Sequence, residues 1–464
     1  MGTRCSFAIL SDEMSDKTLN MILLHVCDAT PATAVTDAKW RCQGMMSGIG
    51  SVSRRWRHLA KVALMGEKRA WLTVQVADVE ACTTCFPRAL SLRIVGDAWA
   101  GDIAAMLKST SLMRLTIRNN TLMRGCEGLG QLVGLRDLYI EECSELHDAA
   151  ALSSLMNLTT LHVMPCNKLD ATLLAPSLAR MTGLASLNLP VIDVGAAGAA
   201  SLALSLKSMT LLTSLGLSYV TSANQPLRAW ASLARSLALM AQLTSLRLGG
   251  NYFGTAGAAS LEPSLAQMTR LTLLDLHLND LGAAGAASLA PSLARMREMT
   301  FLNLSANHLG AAGATSLAQS LTRMTQLTEL HLSRNAIGAA GAASLAPSLA
   351  LMSRLTSLHL RNNGIGAAAA TSLAQSLTRM TRMEVLHLGD NAIGDEGATS
   401  LAPSLTRMTR MTHLYLPKNA IGDAGATSLA PSLAHLTQLR VLMLKCNAIS
   451  PEAAARLPGI ALYI

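Results

Sequence analysis

Aromatic and charged residues are both scarce in this sequence. The 464 residues include only four Phe, five Tyr and five Trp, and 14% are charged, while half are apolar. That apolar content excludes an intrinsically disordered chain, which lacks the residues to build a core. The length exceeds what one hydrophobic core needs, so several domains or a repeat array are expected. With so few aromatic residues, the core must be built mainly from Leu, Met and Ala.

Long apolar runs and a disulfide framework are also missing. The uncharged stretch 208–227 is long enough to cross a bilayer, but it is rich in Ser and Thr, so no membrane span is predicted. The segment SFAIL at 6–10 is too short for a secretory signal. Nine cysteines, an odd number without regular spacing, favour a reducing compartment. We therefore expect a cytoplasmic protein, with the nucleus as the other possibility.

What the sequence does contain is an internal repeat. Eight asparagines recur every 28 residues without slippage, each inside one pattern that reads LTELHLSRNAI at 327–337. Upstream, the same column continues at spacings of 31, 28, 26, 23, 23 and 23 residues, with Cys166 and Cys143 in it. The pattern is the signature of leucine-rich repeats, and it predicts 14 of them between about residue 85 and the C-terminus. The asparagines are Asn251, Asn279, Asn307, Asn335, Asn363, Asn391, Asn419 and Asn447.

The repeat pattern predicts a strand, a turn and a helix in each unit. Leu330 and Leu332 flank His331, which predicts a short strand with one apolar face. Leu345 and Leu349, four residues apart, mark the apolar stripe of a helix. The Asn amide is expected to bond buried backbone groups of neighbouring turns. No unit can bury its apolar face alone, so the units must stack. We predict an α/β leucine-rich-repeat solenoid with a small helical N-terminal domain. It should form a horseshoe, with parallel strands on the concave side and helices on the convex side.

Six prolines lie inside the predicted helices, each at the same fixed distance before a column position. Proline removes a backbone hydrogen bond inside a helix, so we expect a bent or two-part helix in those repeats. The repeats with Gln319 and Gln375 at this position are expected to have straighter helices. The prolines are Pro176, Pro263, Pro291, Pro347, Pro403 and Pro431.

The 28-residue repeats resemble the ribonuclease-inhibitor-like class of leucine-rich repeats, which is also found in NOD-like receptors. The shorter repeats at 85–190 are similar to the cysteine-containing repeats of F-box proteins. We predict three regions: a helical segment at 1–75, irregular repeats at 76–190, and regular repeats with a C-terminal cap at 191–464. What the resemblance implies is protein binding.

The N-terminal segment resembles an F-box. Val52, Trp56 and Leu59 fit the second half of that motif, and Leu19 and Ile22 lie in a stretch like its opening helix. The usual Leu-Pro opening is absent, and the connection at 27–50 is longer than in the family. The resemblance implies that these five residues bind a Skp-type adaptor. The alternative is a helical cap that covers the first repeat.

No catalytic motif is present, and we predict no catalytic residue, cofactor or metal site. The lone pair Cys82 and Cys85 lacks two further zinc ligands at suitable spacing. One exposed strand position carries rings in four consecutive repeats, which predicts a stacked ladder on the concave face. Exposed strand positions carry Glu141 and Glu142 in early repeats and cationic residues in late ones, which predicts two contact patches for a protein ligand. The rings are His331, His359, His387 and Tyr415, and the cations are Arg334, Arg361, Lys418 and Lys445.

The net charge of +9 comes mainly from arginine. One arginine column lies at predicted helix C-termini, where the helix dipole favours cations, and no aromatic residues are interleaved for base stacking. We therefore predict no nucleic-acid binding. The N-terminal MGTRCS matches a myristoylation pattern, so membrane binding is expected only if Gly2 is acylated, with Cys5 as a second lipid site.

These observations together favour a non-enzymatic binding protein. The F-box resemblance implies a substrate-recognition subunit of a cullin-based (SCF-type) ubiquitin ligase that binds its targets on the concave face. The alternative is a free-standing scaffold or a NOD-like regulatory receptor without a ubiquitin role.

Overall fold

The computed structural model describes residues 112–457, except 122, 167, 192–193 and 221–225, together with three strands outside that range. The chain divides into two compact units, Met1–Leu212 (unit 1) and Thr213–Ile464 (unit 2). The predicted adaptor-binding residues Leu19, Ile22, Val52, Trp56 and Leu59 lie outside the described residues.

In the part of unit 1 that the structure describes, six parallel strands are paired in chain order. Where the repeat spacing is shortest, strands are joined by 3-10 helices at Glu127–Gln131 and Ala150–Ser154, because too few residues remain for an α-helix. The longer spacings allow helices α1 (Ala171–Arg180) and α2 (Gly195–Leu206). The strands are β1 (Leu72–Gln75), β2 (Ser91–Val95), β3 (Arg114–Arg118), β4 (Asp137–Glu141), β5 (Thr160–Met164) and β6 (Ser186–Asn188).

Unit 2 repeats a short strand and a helix, and the helices are mostly of one length. Its strands are also parallel and paired in chain order. The strands are β7 (Ser214–Gly216), β8 (Ser245–Arg247), β9 (Leu273–Asp275), β10 (Phe301–Asn303), β11 (Glu329–His331), β12 (Ser357–His359), β13 (Val385–His387), β14 (His413–Tyr415), β15 (Val441–Met443) and β16 (Ala461–Tyr463). The helices are α3 (Pro226–Leu237), α4 (Gly254–Leu265), α5 (Gly282–Leu293), α6 (Gly310–Leu321), α7 (Gly338–Leu349), α8 (Gly366–Leu377), α9 (Gly394–Leu405), α10 (Asp423–Ala434) and α11 (Pro451–Ala454).

The core of unit 2 is built from Leu, Ile, Ala and Met at repeated positions, as the composition predicts. In the repeat that contains β11 and α7, Leu330, Leu332, Ile337, Leu345 and Met352 are all at most 1% exposed. Each such side chain contributes about 1.5–3 kcal/mol by leaving water. Stacking of neighbouring repeats therefore supplies the core, because one repeat alone would leave these side chains in solvent.

The asparagine column forms a continuous hydrogen-bonded ladder. Asn335 is fully buried, and its Nδ2 donates to the carbonyl oxygens of Leu304 and Leu332, each at 2.9 Å. Its Oδ1 accepts from the backbone N–H of Asn307 at 2.8 Å, and its own N–H donates to Oδ1 of Asn363. The predicted role of the amide is confirmed. The same contacts recur from Asn251 onwards to Asn447, which lies at the end of the ladder and is half-buried.

A second ladder, which the sequence pattern does not predict, joins neighbouring helices. The hydroxyl of buried Ser348 in α7 donates to the carbonyl of Ala318 in α6 at 2.6 Å. Ser320 and Ser376 make the same contact one repeat earlier and one repeat later. Gly341 brings the same two helices close together, since a Cβ at that position would lie 3.0 Å from Cα of Ala311.

The turn after each strand uses left-handed backbone. Arg334 and Ala336 have φ of 58° and 51°, on either side of Asn335, and Gly338 at the start of α7 has φ of 65°.

The predicted two-part helix does not occur in the described repeats of unit 2. Helix α7, with Pro347, and helix α6, with Gln319, are each continuous from end to end, because the proline lies close to the helix end. Among the described residues, no helix combines the length and the apolar character that a bilayer crossing requires.

Candidate protein-binding surface

The rings predicted from the repeat register form a row across four neighbouring strands of unit 2. His331, His359, His387 and Tyr415 occupy the third position of β11 to β14 and are aligned by in-register pairing. Their successive ring centroids are 4.2, 6.0 and 5.0 Å apart. Phe301 on β10 extends the contact, with its ring centroid 5.2 Å from that of His331. The predicted stacking is confirmed for His331–His359 and for His387–Tyr415, whereas the rings of His359 and His387 are tilted by 39°. A role in binding stays a prediction. We call these five residues the aromatic row.

The rings of the row are half-buried, whereas the sequence pattern predicts an exposed position. The difference arises because each ring lies against its neighbours and shields part of their surface. Burial, with a smaller contribution from a neighbouring histidine in each case, lowers the pKa of His359 and of His387 to about 4. Burial also lowers the pKa of His331, although the carboxylate of Asp275 acts in the opposite direction. The histidines are therefore neutral at physiological pH.

Hydrogen bonding along the row is incomplete. Nε2 of His359 lies 2.9 Å from the hydroxyl of Ser357, and Nδ1 of His387 accepts from the N–H of Gly389 at 3.3 Å. Nε2 of His331 is buried and has no hydrogen-bond partner among the described residues, because the nearest carboxylate oxygen, of Glu329, is 3.6 Å away. A buried nitrogen without a partner is costly.

The predicted cations are close to the row but not on the strands. Arg334 and Lys418 lie in the turns after β11 and β14, with φ of 58° and 52°, and both are exposed. Arg361 and Lys445 come shortly after β12 and β15, and Arg361 forms a 3.2 Å ion pair with Asp390. The assignment of these residues to strand positions was wrong, because each strand ends before it reaches them.

The predicted acidic residues lie in unit 1 and are paired. Glu141 ends β4 and is half-buried, whereas Glu142 lies in the following turn with φ of 58°. Arg118 on the neighbouring strand β3 approaches both carboxylates, at 3.7 and 3.2 Å. Arg118 therefore neutralises part of the negative charge of the two carboxylates, and that part is not free to attract a ligand.

A polar relay that sequence reasoning missed lies on the strand side of unit 2. Oδ1 of Asp275 is 2.7 Å from Nδ1 of His277, and Nε2 of His277 is 2.8 Å from the hydroxyl of Tyr219. Gly249 and Gly250 make room for the two rings, since a Cβ at either glycine would overlap with a ring. In the sequence, this arrangement could have been found from the Gly-Gly pair, since other repeats carry side chains where this pair stands. Among the described residues, no group of three or more His, Cys, Asp or Glu side chains is placed to hold a metal ion.

Comparison with known proteins identifies the repeats. The family model for the leucine-rich repeat matches six segments of unit 2, at 267–290, 297–318, 323–346, 353–374, 380–402 and 408–430. No curated protein matches the sequence. Among the 181 matching chains of solved structures is an internalin (inlF) from Listeria monocytogenes str. 4b F2365, with a TM-score of 0.50 and 21% identity. That match covers 75% of this chain and 85% of the internalin. The chain is a leucine-rich-repeat solenoid of α/β class, as the sequence predicts.

Proposed function

We propose that this chain is a non-enzymatic protein-binding solenoid whose ligand contacts the strand side of unit 2. The observation that carries the proposal is the aromatic row, which crosses five consecutive strands of one sheet. Aromatic side chains on a rigid support provide large contact area at low entropic cost, as interface hot spots do. Leucine-rich repeats typically serve protein–protein interaction, which agrees with this use.

A further feature supports a ligand at the row. Arg334 and Lys418, exposed in the adjoining turns, provide a cationic rim on one side of the row. An apolar centre with a polar rim is the usual anatomy of a protein interface.

Affinity purification with mass spectrometry tests the proposal when wild-type protein is compared with two variants. The first variant replaces His331, His359 and His387 by alanine. The control variant carries Thr315→Ala and Ser344→Ala, which remove a hydrogen-bonded pair of hydroxyls on the helix side. We expect a protein that is captured by the wild type and the control but lost with the histidine variant. Partners retained equally by all three proteins would contradict binding at the row.

At a finer level, we propose that the chain is a substrate-recognition subunit of an SCF-type ubiquitin ligase in the cytoplasm. The support is the resemblance of 51–76 to an F-box and of the regular repeats to the ribonuclease-inhibitor-like class. On this proposal a Skp-type adaptor is bound by Leu19, Ile22, Val52, Trp56 and Leu59, and the strand side of the repeats selects the target. If the segment is only a cap, the chain is a free-standing scaffold.

The variant Trp56→Ala separates these two cases. In an F-box, loss of the indole weakens adaptor binding by about 2 kcal/mol or more and leaves the melting of the repeats unchanged. In a cap, the same change lowers the stability of the protein by about 3–5 kcal/mol, as a large core truncation does. Co-purification with a Skp-type adaptor, together with thermal melts, distinguishes the outcomes. Failure of folded wild-type protein to bind the adaptor would contradict the ligase assignment.

A further inference from the structure

The positive charge of unit 2 is concentrated on one edge. Seven loops connect a helix to the next strand, from α4–β9 to α10–β15, and they contain ten arginines and only two acidic residues, Glu298 and Glu384. The formal excess of eight positive charges compares with +9 for the whole chain. We call these loops the arginine edge. They are 266–272, 294–300, 322–328, 350–356, 378–384, 406–412 and 435–440.

The loops of the arginine edge form one continuous surface. The last residue of each loop donates its backbone N–H to the last residue of the preceding loop, as Thr328 does to Thr300 and Thr356 does to Thr328, both at 2.8 Å. This contact continues through Glu384 and Thr412 to Arg440. The arginines are therefore held side by side in consecutive repeats.

All ten arginines are exposed, and within the described part of the chain none of them forms an ion pair. Arg270 and Arg354 instead reach the side-chain oxygen of a glutamine one repeat earlier, at 2.7 and 2.5 Å. The helix dipole explains a preference for cations at helix C-termini. It does not explain a second arginine per loop, such as Arg382 and Arg410, close to the following strand. The ten are Arg270, Arg295, Arg297, Arg323, Arg354, Arg379, Arg382, Arg407, Arg410 and Arg440.

Two open clefts on this edge place arginines of neighbouring repeats around one space. One, of about 670 Å³, is lined by Arg295, Arg297 and Arg323. The other, of about 870 Å³, is lined by Arg379 and Arg407 together with hydroxyl side chains. Guanidinium groups and hydroxyls facing a common cleft suit carboxylates, which accept two parallel hydrogen bonds from one arginine.

We propose that the arginine edge binds an acidic, Asp- and Glu-rich protein segment that runs across consecutive repeats. The loops contain no Phe, Tyr or Trp on which nucleic-acid bases could stack, and a single histidine, His435. Leu351 is the one large apolar side chain that is exposed in these described loops, which leaves little to insert into a lipid surface. The site is separate from the aromatic row, so it goes beyond the function proposed above.

Fluorescence anisotropy with a labelled poly-glutamate peptide tests the proposal on the full chain. About 20 extended residues, at about 3.3 Å each, cover seven repeats spaced by at most about 10 Å. The test variant carries Arg379→Gln, Arg382→Gln, Arg407→Gln and Arg410→Gln. The control variant loses the same charge from exposed sites elsewhere, through Lys207→Gln, Arg235→Gln, Arg247→Gln and Arg456→Gln. Because only surface side chains change, both variants are expected to fold, and thermal melts verify this.

We expect the test variant to raise the Kd about tenfold, the combined effect of four exposed ion pairs of ordinary strength. The control should change the Kd less than about twofold, and wild-type binding should weaken with added salt. Equal effects of the two variants, or no binding by the wild type at low salt, would overturn the proposal. Tighter binding of a duplex DNA of equal charge, or of phosphatidylserine vesicles, would also overturn it in favour of another class of partner.

Discussion

Asn335→Ala is the sharpest test of how the repeats are held together. The change removes the two donors to the carbonyls of Leu304 and Leu332 and the acceptor for the N–H of Asn307. Each carbonyl keeps a second amide, from Asn307 and from Asn363 respectively, but the N–H of Asn307 loses its side-chain acceptor inside a dry core. One unsatisfied buried N–H costs about 1–3 kcal/mol, and the weakened carbonyl contacts add to it. We expect the free energy of unfolding to fall by about 2–4 kcal/mol.

Urea denaturation followed by far-UV circular dichroism measures this loss. Ser333→Ala is the matched control, because Ser333 is half-buried in the same turn, and it should cost less than about 0.5 kcal/mol. Asn447→Ala should fall between the two, since water reaches the end of the ladder. Equal losses of unfolding free energy at Asn335 and Ser333 would refute the assignment of buried and outward-facing positions, which is applied to every repeat.

Two further predictions concern stability. Ser348→Ala should cost about 1 kcal/mol in the same denaturation assay, because one buried interhelical hydrogen bond is lost. Ser344→Ala removes a bond within its own helix and a contact with Thr315, both exposed, and should cost less. A reversed order would show that the serine ladder does not stabilise the stack. The histidines of the row are expected to make stability depend on pH. Their folded-state pKa values lie below the ordinary value of about 6.5, at about 4 for two of them, so the unfolded chain binds more protons between these values. This contribution is therefore fully present above about pH 6.5 and is lost as pH falls toward 4. Replacing all three by Gln should flatten the dependence of melting temperature on pH in this range, and an unchanged slope would contradict their burial. The three are His331, His359 and His387.

The sequence predicts the interior of each repeat well, because the same residue types are required at the same core positions in every repeat. Leu330 and Leu332 must face the core, and an amide at Asn335 is among the few side chains that can satisfy several buried backbone groups at once. These positions could be assigned from the spacing alone. The proposal that rings stack across strands followed equally directly, since in-register parallel pairing places equivalent residues side by side.

The remaining features depend on distances in the folded protein, and the spacing of residues along the sequence does not give these distances. The serine ladder requires that Ser348 face a particular carbonyl of the preceding helix, which a helical stripe does not specify. The positions of Arg334 and Lys418 depend on where the short strand ends and the left-handed turn begins. Pro347 was predicted to bend or divide its helix, but the helix continues to Leu349, and so little of it follows the proline that a second part cannot form. The constant repeat interval sets the register, whereas these details depend on local backbone geometry.

The clustering of charge on the arginine edge is likewise not predictable from the sequence. In the sequence the arginines are interrupted by long uncharged segments, and each column alone has a local explanation in the helix dipole. The structure brings the loops together through backbone contacts between Thr residues of neighbouring repeats. Most of the net positive charge therefore lies on a single edge of unit 2.

Footprinting of the histidines in a captured complex tests the proposed protein-binding surface most directly. Diethyl pyrocarbonate modifies accessible imidazoles, and mass spectrometry reads each site separately. With the partner recovered by affinity purification, we predict that modification of His331, His359 and His387 falls when the complex forms. Modification of His308, which is exposed away from the aromatic row, should not change. Unaltered modification of the three row histidines, with protection only elsewhere, would contradict the proposal that the strand side of unit 2 is the binding surface.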